Sequence, residues 1–278
     1  MTITECDRRS FAAYLRSEER SAGTIEKYLR DVRAFALWLE HNALTRENAA
    51  AWRDALLSQR YAPATVNSML SAVNRFLQFL GREDCKLKFL RLQRRAFREP
   101  RREMTREDYR RLLDAARDSG HRRLELLMET ICSTGIRVGE VRCITLEAAR
   151  QGRTEISLKG KIRTILLPAK LCRKLLKYAK EQKIASGEIF LTRSGKSLSR
   201  RQIWREMKDL CALAGVEASK VFPHNLRHLF ATLFYKASRD IVKLADVLGH
   251  SSVDTTRIYL LTTGREHARQ LEKLGLVT

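Results

Sequence analysis

The sequence predicts a mainly α fold with a small β-hairpin (α+β), divided into two domains. Three observations carry this. Apolar residues recur at helical spacing up to about residue 80 and again beyond residue 104, one pair of short β-rich runs flanks Lys159-Gly160-Lys161, and an arginine-rich stretch separates the two helical regions.

In the first region Ile25, Tyr28, Leu29, Val32, Ala36 and Leu39 mark an amphipathic helix of about five turns. Glu47 to Gln59 follows, with Trp52, Leu56 and Leu57 as its apolar side. A third helix starts at Pro63, a residue suited to a first turn, and stops at Gly81. These segments predict a small helical bundle. From Arg82 to Arg102 nine basic residues stand against Glu83, Asp84 and Glu99, which describes either a solvated helix face with a linker or a basic strap along a polyanion. The second domain is expected to open at Thr105, placed to N-cap a helix with Asp108 three residues on. Leu112 to Ala116 and Leu124 to Ile131 read as helices. Thr154 to Leu158 and Ile162 to Leu167 read as hairpin strands, and helices resume at Leu171 to Ala179, Arg201 to Leu213, Leu226 to Lys236 and Ile241 to Leu248. The expected domains are residues 1–98, including the basic linker, and 103–278.

The 278 residues carry a formal net charge of +22, from 54 Lys and Arg against 32 Asp and Glu. Neutralising phosphates with such an excess releases condensed counterions, so a long polyanion, nucleic acid, is the expected partner. A membrane surface is the competitor, but charge spread along the whole chain, with no lipidation motif, fits it poorly. No signal peptide and no apolar run of about 18 residues is visible, and a cytoplasmic, nucleoid-associated protein is expected. Six dispersed cysteines form no C-x-x-C pair, which argues against a disulfide framework or a zinc ribbon and for buried free thiols.

Chemistry-bearing residues gather late in the chain. His224-Asn225-Leu226-Arg227-His228 precedes Leu248-Gly249-His250-Ser251-Ser252 and Thr255-Thr256-Arg257-Ile258-Tyr259, and an earlier arginine lies in Thr134-Gly135-Ile136-Arg137-Val138-Gly139-Glu140. Guanidiniums grip phosphodiesters through paired hydrogen bonds, imidazoles move protons near neutrality, and a tyrosine can attack phosphorus. His224 and Arg227 share a face at a helix start. His224 and His228 as half of a metal site is the alternative, but no third ligand stands nearby and a guanidinium would repel a dication. His228 is expected to be structural. No metal and no cofactor is expected.

This ordered set of four spaced motifs resembles the tyrosine recombinase (phage integrase) family along the whole chain. The resemblance implies a two-domain DNA clamp, with a helical core-binding domain before a mixed catalytic domain. It implies that Arg137 and Arg227 clamp the scissile phosphate, Tyr259 attacks it to leave a 3′-phosphotyrosyl link, and Lys159 protonates the departing 5′ oxygen. His224 would be the general base or its hydrogen-bonding surrogate, and His250 would contact the phosphate and position the nucleophile. Lys161 competes with Lys159 as general acid and otherwise contacts phosphate. Glu140 would buttress Arg137. Arg91, Arg94, Arg95 and Arg98 are the expected DNA contacts of the strap.

No additional domain is expected before the helical module, so the layout is similar to short Xer-type recombinases and small mobile-element integrases. Residues after Tyr259 are expected to form a last helix, either packed on its own domain or docked on a neighbouring protomer. The implied function is site-specific recombination through a Holliday junction, by a homo-tetramer on two double-stranded DNA sites, with paralogous or accessory proteins as further partners. Integration or excision of a mobile element and chromosome dimer resolution are equally open. A type IB topoisomerase-like or hairpin-resolving enzyme is the chemical rival, and a degenerate DNA-binding regulator the non-enzymatic one.

Overall fold

A computed structural model describes residues 3–40, 42–92, 103–158, 161–259, 269 and 272–275, without the side chains of residues 157, 158 and 161. The chain forms two compact units, residues 1–94 and 95–278. In the first, α1 (Glu5–Ser17), α2 (Ala22–Trp38), α3 (Arg46–Ser58) and α4 (Pro63–Phe79) bury their apolar faces on one another. The helix α1 was not anticipated from periodicity. Its apolar face is only Phe11, Ala12 and Leu15, but Thr4 and Asp7 close a reciprocal capping box at its start. Phe11 then sets its ring edge-on to Phe76 of α4, with centroids 5.1 Å apart.

The second unit begins with α5 (Arg106–Asp118), capped by Thr105 and Asp108 as expected, and α6 (Arg122–Thr134). A 3-10 turn (Val138–Cys143) and the short α7 (Leu146–Gln151) lead into β1 (Arg153–Leu158) and β2 (Lys161–Leu166). These strands pair antiparallel, with Ile156 opposite Arg163 and Leu158 opposite Lys161. The inward positions of β2 continue through Arg163, Ile165 and Leu167, while Ile162 and Leu166 face outward. Next come α8 (Ala169–Glu181), α9 (Arg200–Ala214), α10 (Pro223–Ser238), α11 (Ile241–Leu248) and α12 (Val253–Arg257). Neither α7 nor α12 has the length to show a period. Each is started by a side-chain cap, Thr145 accepting from the Ala148 amide and Ser252 from the Asp254 amide. A core of α5, α6, α8 and α9 side chains supports the hairpin, and a smaller cluster of Ala231, Leu244, Leu248 and Tyr259 joins α10 to α11.

The start of the arginine-rich stretch is not a helix face. After a 3-10 turn at Glu83–Cys85, residues 86–92 run extended along α4. Arg82 is tied to Asp84 and to the Leu44 carbonyl, and Lys86 to Glu83, so two of the nine basic residues serve the first unit internally. Two asparagines one heptad apart on α4 hold the extended segment as a partner strand would. Asn74 donates to the Leu87 carbonyl at 2.9 Å and accepts its amide at 2.8 Å, and Asn67 does the same for Leu90 at 2.9 and 2.8 Å. Arg91 is exposed at the end of this segment, and Arg94, Arg95 and Arg98 lie outside the described residues. Replacing Asn67 or Asn74 with alanine should lower stability by about 1–2 kcal/mol each and speed hydrogen exchange at the Leu90 or Leu87 amide. Unchanged exchange in both variants would contradict the clamp.

Candidate active site

Arg227 is the focus of the second unit. It lies on the first turns of α10, which Pro223 begins, and is 2 % exposed, the largest fully buried side chain described. Its Nη1 donates to the Gly135 carbonyl just past the end of α6, and its Nη2 donates to the Leu248 carbonyl, the last of α11, at 2.9 Å. Helix C-termini leave orphan carbonyls and carry the negative end of the macrodipole, so two of them together stabilise a buried cation without a carboxylate. Burial nonetheless lowers the Arg227 pKa, as do Arg137 and Arg163, while a hydrogen bond to Tyr259 opposes the shift. A guanidinium remains charged throughout the physiological range.

Both helix ends need glycine. Gly135 has φ +66°, and a Cβ there would stand 2.5 Å from the Phe230 ring; Gly249 has φ +65°, and its Cβ would stand 2.3 Å from Arg163 Cδ. These left-handed residues turn the chain so that Arg137 follows one helix and His250 the other.

His250 completes the contact. Its Nε2 lies 2.9 Å from Arg227 Nη2 and its Nδ1 lies 2.9 Å from Thr256 Oγ1. Arginine only donates, so Nε2 accepts, and the neutral ring carries its proton on Nδ1, donated to Thr256. Burial, then the charges of Arg227, Arg137, Arg163 and His224, push the His250 pKa down to about 4. Tyr259 is 4 % exposed and stacks on His250 with ring centroids 5.9 Å apart and planes at 12°. His228 meets its other side at 4.5 Å, edge-on, and lies 6.0 Å from His224 at 89°. His224 itself is exposed at the rim.

Arg137 stands half-exposed, its Nη1 3.0 Å from Glu140 Oε1 and its backbone amide 2.7 Å from Oε2. Glu140, 1 % exposed, is also bridged by Arg163. Glu140 therefore does buttress Arg137. Three guanidiniums around a single carboxylate leave a positive excess suited to a phosphodiester and to the charge that grows on it at the transition state.

The structure thus brings Arg137, Arg227, His250 and Tyr259 together, with His224 and His228 beside them. Lys159 and the side chain of Lys161 lie outside the described residues, as does most of the expected last helix. Arg163 and Thr256 were missed in the sequence. Arg163 carried a signal, since it is, with Lys161, a charged residue in phase with Ile165 and Leu167 on β2; Thr256 stood in the Thr255-Thr256 motif, but nothing there named its partner. Among the described residues no three His, Cys, Asp or Glu side chains converge as a metal site, and no helix is long and apolar enough to cross a membrane.

A buried arginine bonded to a neutral histidine, on which a tyrosine stacks, offers the groups that attack on a phosphodiester by a tyrosine hydroxyl requires. The Phage integrase family matches residues 102–264, and the Phage integrase, N-terminal SAM-like domain matches residues 9–84. The chain belongs to the phage integrase family of tyrosine-type site-specific recombinases, enzymes that cleave and rejoin DNA. It is 31% identical over 274 residues to the tyrosine recombinase XerD of Brucella suis, covering 87% of this chain and 88% of that one. Tyrosine recombinase XerA of Pyrococcus furiosus is 27% identical over 281 residues, covering 96% and 93%. In fold the chain matches lambda integrase in a tetramer bound to a Holliday junction, with a TM-score of 0.70, 20% identity, and 93% and 77% of the two chains covered.

The depressed His250 pKa has a testable sign. The unfolded chain takes up this proton near 6.5 and the folded chain only near 4, so the stabilisation is intact above pH 6.5 and is lost as pH falls toward 4. The urea midpoint of the wild type should therefore fall relative to that of His250→Gln across this window. A difference that does not vary with pH would contradict the buried neutral imidazole.

Proposed function

We propose that this chain recombines two specific DNA sites through a covalent 3′-phosphotyrosyl intermediate. Tyr259 Oη forms a bond to phosphorus while the bond to the 5′ oxygen breaks; His224 receives the tyrosine proton or hydrogen-bonds in its place, and Lys159 supplies a proton to the leaving oxygen. Arg137 and Arg227 hold the non-bridging oxygens, and His250 keeps Arg227 and Tyr259 in register. The observation that carries this reading is the ring of His250, 2.9 Å from Arg227 Nη2 and stacked on Tyr259 with centroids 5.9 Å apart, which sets the phenol beside the guanidinium that would bind the phosphate. The bond energy is kept in the protein link, so rejoining requires neither nucleotide nor metal.

The helical domain, residues 1–98, and the catalytic domain, residues 103–278, each contact the DNA of a half-site, with Arg91, Arg94, Arg95, Arg98 and Lys161 on phosphates. The relative solved as a tetramer on a Holliday junction supports tetrameric action on paired sites. Integration or excision of a mobile element and resolution of chromosome dimers both use this chemistry.

A nicked suicide substrate should trap an SDS-stable protein-DNA adduct, and Tyr259→Phe should abolish the adduct while retaining DNA binding. An adduct that persists in the phenylalanine variant would sink the nucleophile assignment. Lys159→Ala should slow cleavage by about a hundredfold or more, with the rate largely restored by a 5′-bridging sulfur, a leaving group that needs no proton. Lys161→Ala should weaken binding instead and lower the salt slope by about one. The reverse pattern would move the general acid to Lys161.

A further inference from the structure

Arg163 is the one buried charge at the site to which the reaction above gives no task. Its side chain is 14% exposed, and both its terminal nitrogens are engaged by protein acceptors. From the middle of β2 its Nη2 donates to Glu140, and its Nη1 donates to the Leu248 carbonyl and, at 3.4 Å, to that of Val247. Its stem fills the space that Gly249 leaves open. Its Nε is buried with no acceptor, so as mere filling this residue is poorer than an aliphatic side chain would be.

A two-stranded hairpin is marginal by itself, so its tip is placed only as well as its inward side chains are anchored. Ile165 and Leu167 sit in the core, whereas Ile162, beyond Arg163 toward the turn, is exposed. Arg163 is the last inward side chain described on β2 before the turn that carries Lys159. The same guanidinium holds the carboxylate that orients Arg137 and the helix end from which His250 emerges.

We propose that Arg163 is a positioning residue that locks the hairpin bearing Lys159 to the phosphate clamp and to the end of α11. The general acid and the nucleophile are thereby set about one phosphate. This rests on the recombinase reading and extends it. Arginine suits the task because its planar fork binds a carboxylate on one arm and carbonyls on the other, which the point charge of lysine does not reproduce.

The test is single-turnover cleavage of a nicked half-site by the full chain, with binding to the same DNA measured in parallel. Arg163→Ala should cleave about ten- to hundredfold more slowly with affinity unchanged, and added methylguanidinium should restore part of the rate. The 5′-bridging sulfur substrate should recover most of the deficit, because a misplaced general acid is then not needed. Arg163→Lys, which keeps a cation beside Glu140 if the alanine variant fails to fold, should show the same deficit and the same recovery with sulfur. Wild-type cleavage rates in both variants, equal losses of rate and affinity, or a deficit the sulfur substrate does not relieve would each overturn the proposal. Absence of any adduct from the wild type would instead overturn the recombinase reading itself.

Discussion

The second unit is organised by the burial of one cation. Arg227 sits where two helices end, and their terminal carbonyls do for it what a counterion does elsewhere. Taking a guanidinium out of water is costly by several kcal/mol unless its donors are satisfied. The carbonyls of Gly135 and Leu248 and the ring of His250 satisfy them together. Each partner is therefore held by the same charge that it stabilises, which joins α6, α10 and α11 at a point where packing alone would leave polar chain ends buried.

This arrangement also sets protonation. Burial, reinforced by three nearby guanidiniums, keeps His250 neutral, and a neutral imidazole accepts from Arg227 while donating to Thr256. A protonated ring would lose the first of these bonds. A phosphate entering the site offsets the guanidinium charges and weakens the repulsion that holds the pKa down. The tyrosine, covered on one side by His250 and on the other by His228, is kept against the clamp and away from bulk water.

Glycines at the two helix ends are part of the same economy of space. Gly135 admits the Phe230 ring and Gly249 admits the stem of Arg163, so the left-handed turns that close α6 and α11 also let the neighbouring elements approach. The hairpin is thus drawn to the site by a charged side chain as well as by apolar packing.

Much of this was legible in the residues. Long helices such as α2 and α4 announce themselves through periodicity because each buries one face on a single core, and the Thr105 cap and the hairpin followed from local chemistry. The shared role of Arg137, His224, Arg227, His250 and Tyr259 was carried by motif spacing and family resemblance. Short α7 and α12 were not visible, since a helix of one or two turns has no period to read and depends on its cap and its neighbours. Nor could the sequence show that residues 86–92 run extended under two asparagines, because that depends on α4 lying alongside. Tertiary structure alone decided that Arg227 is buried between two helix ends, that Arg227 fixes the His250 tautomer, and that Arg163 bridges Glu140 to Leu248. These contacts join residues from 21 to 92 positions apart, several of them through backbone carbonyls whose identity no side chain reports. Local sequence sets which groups a segment offers, and only the packed fold sets which of them meet.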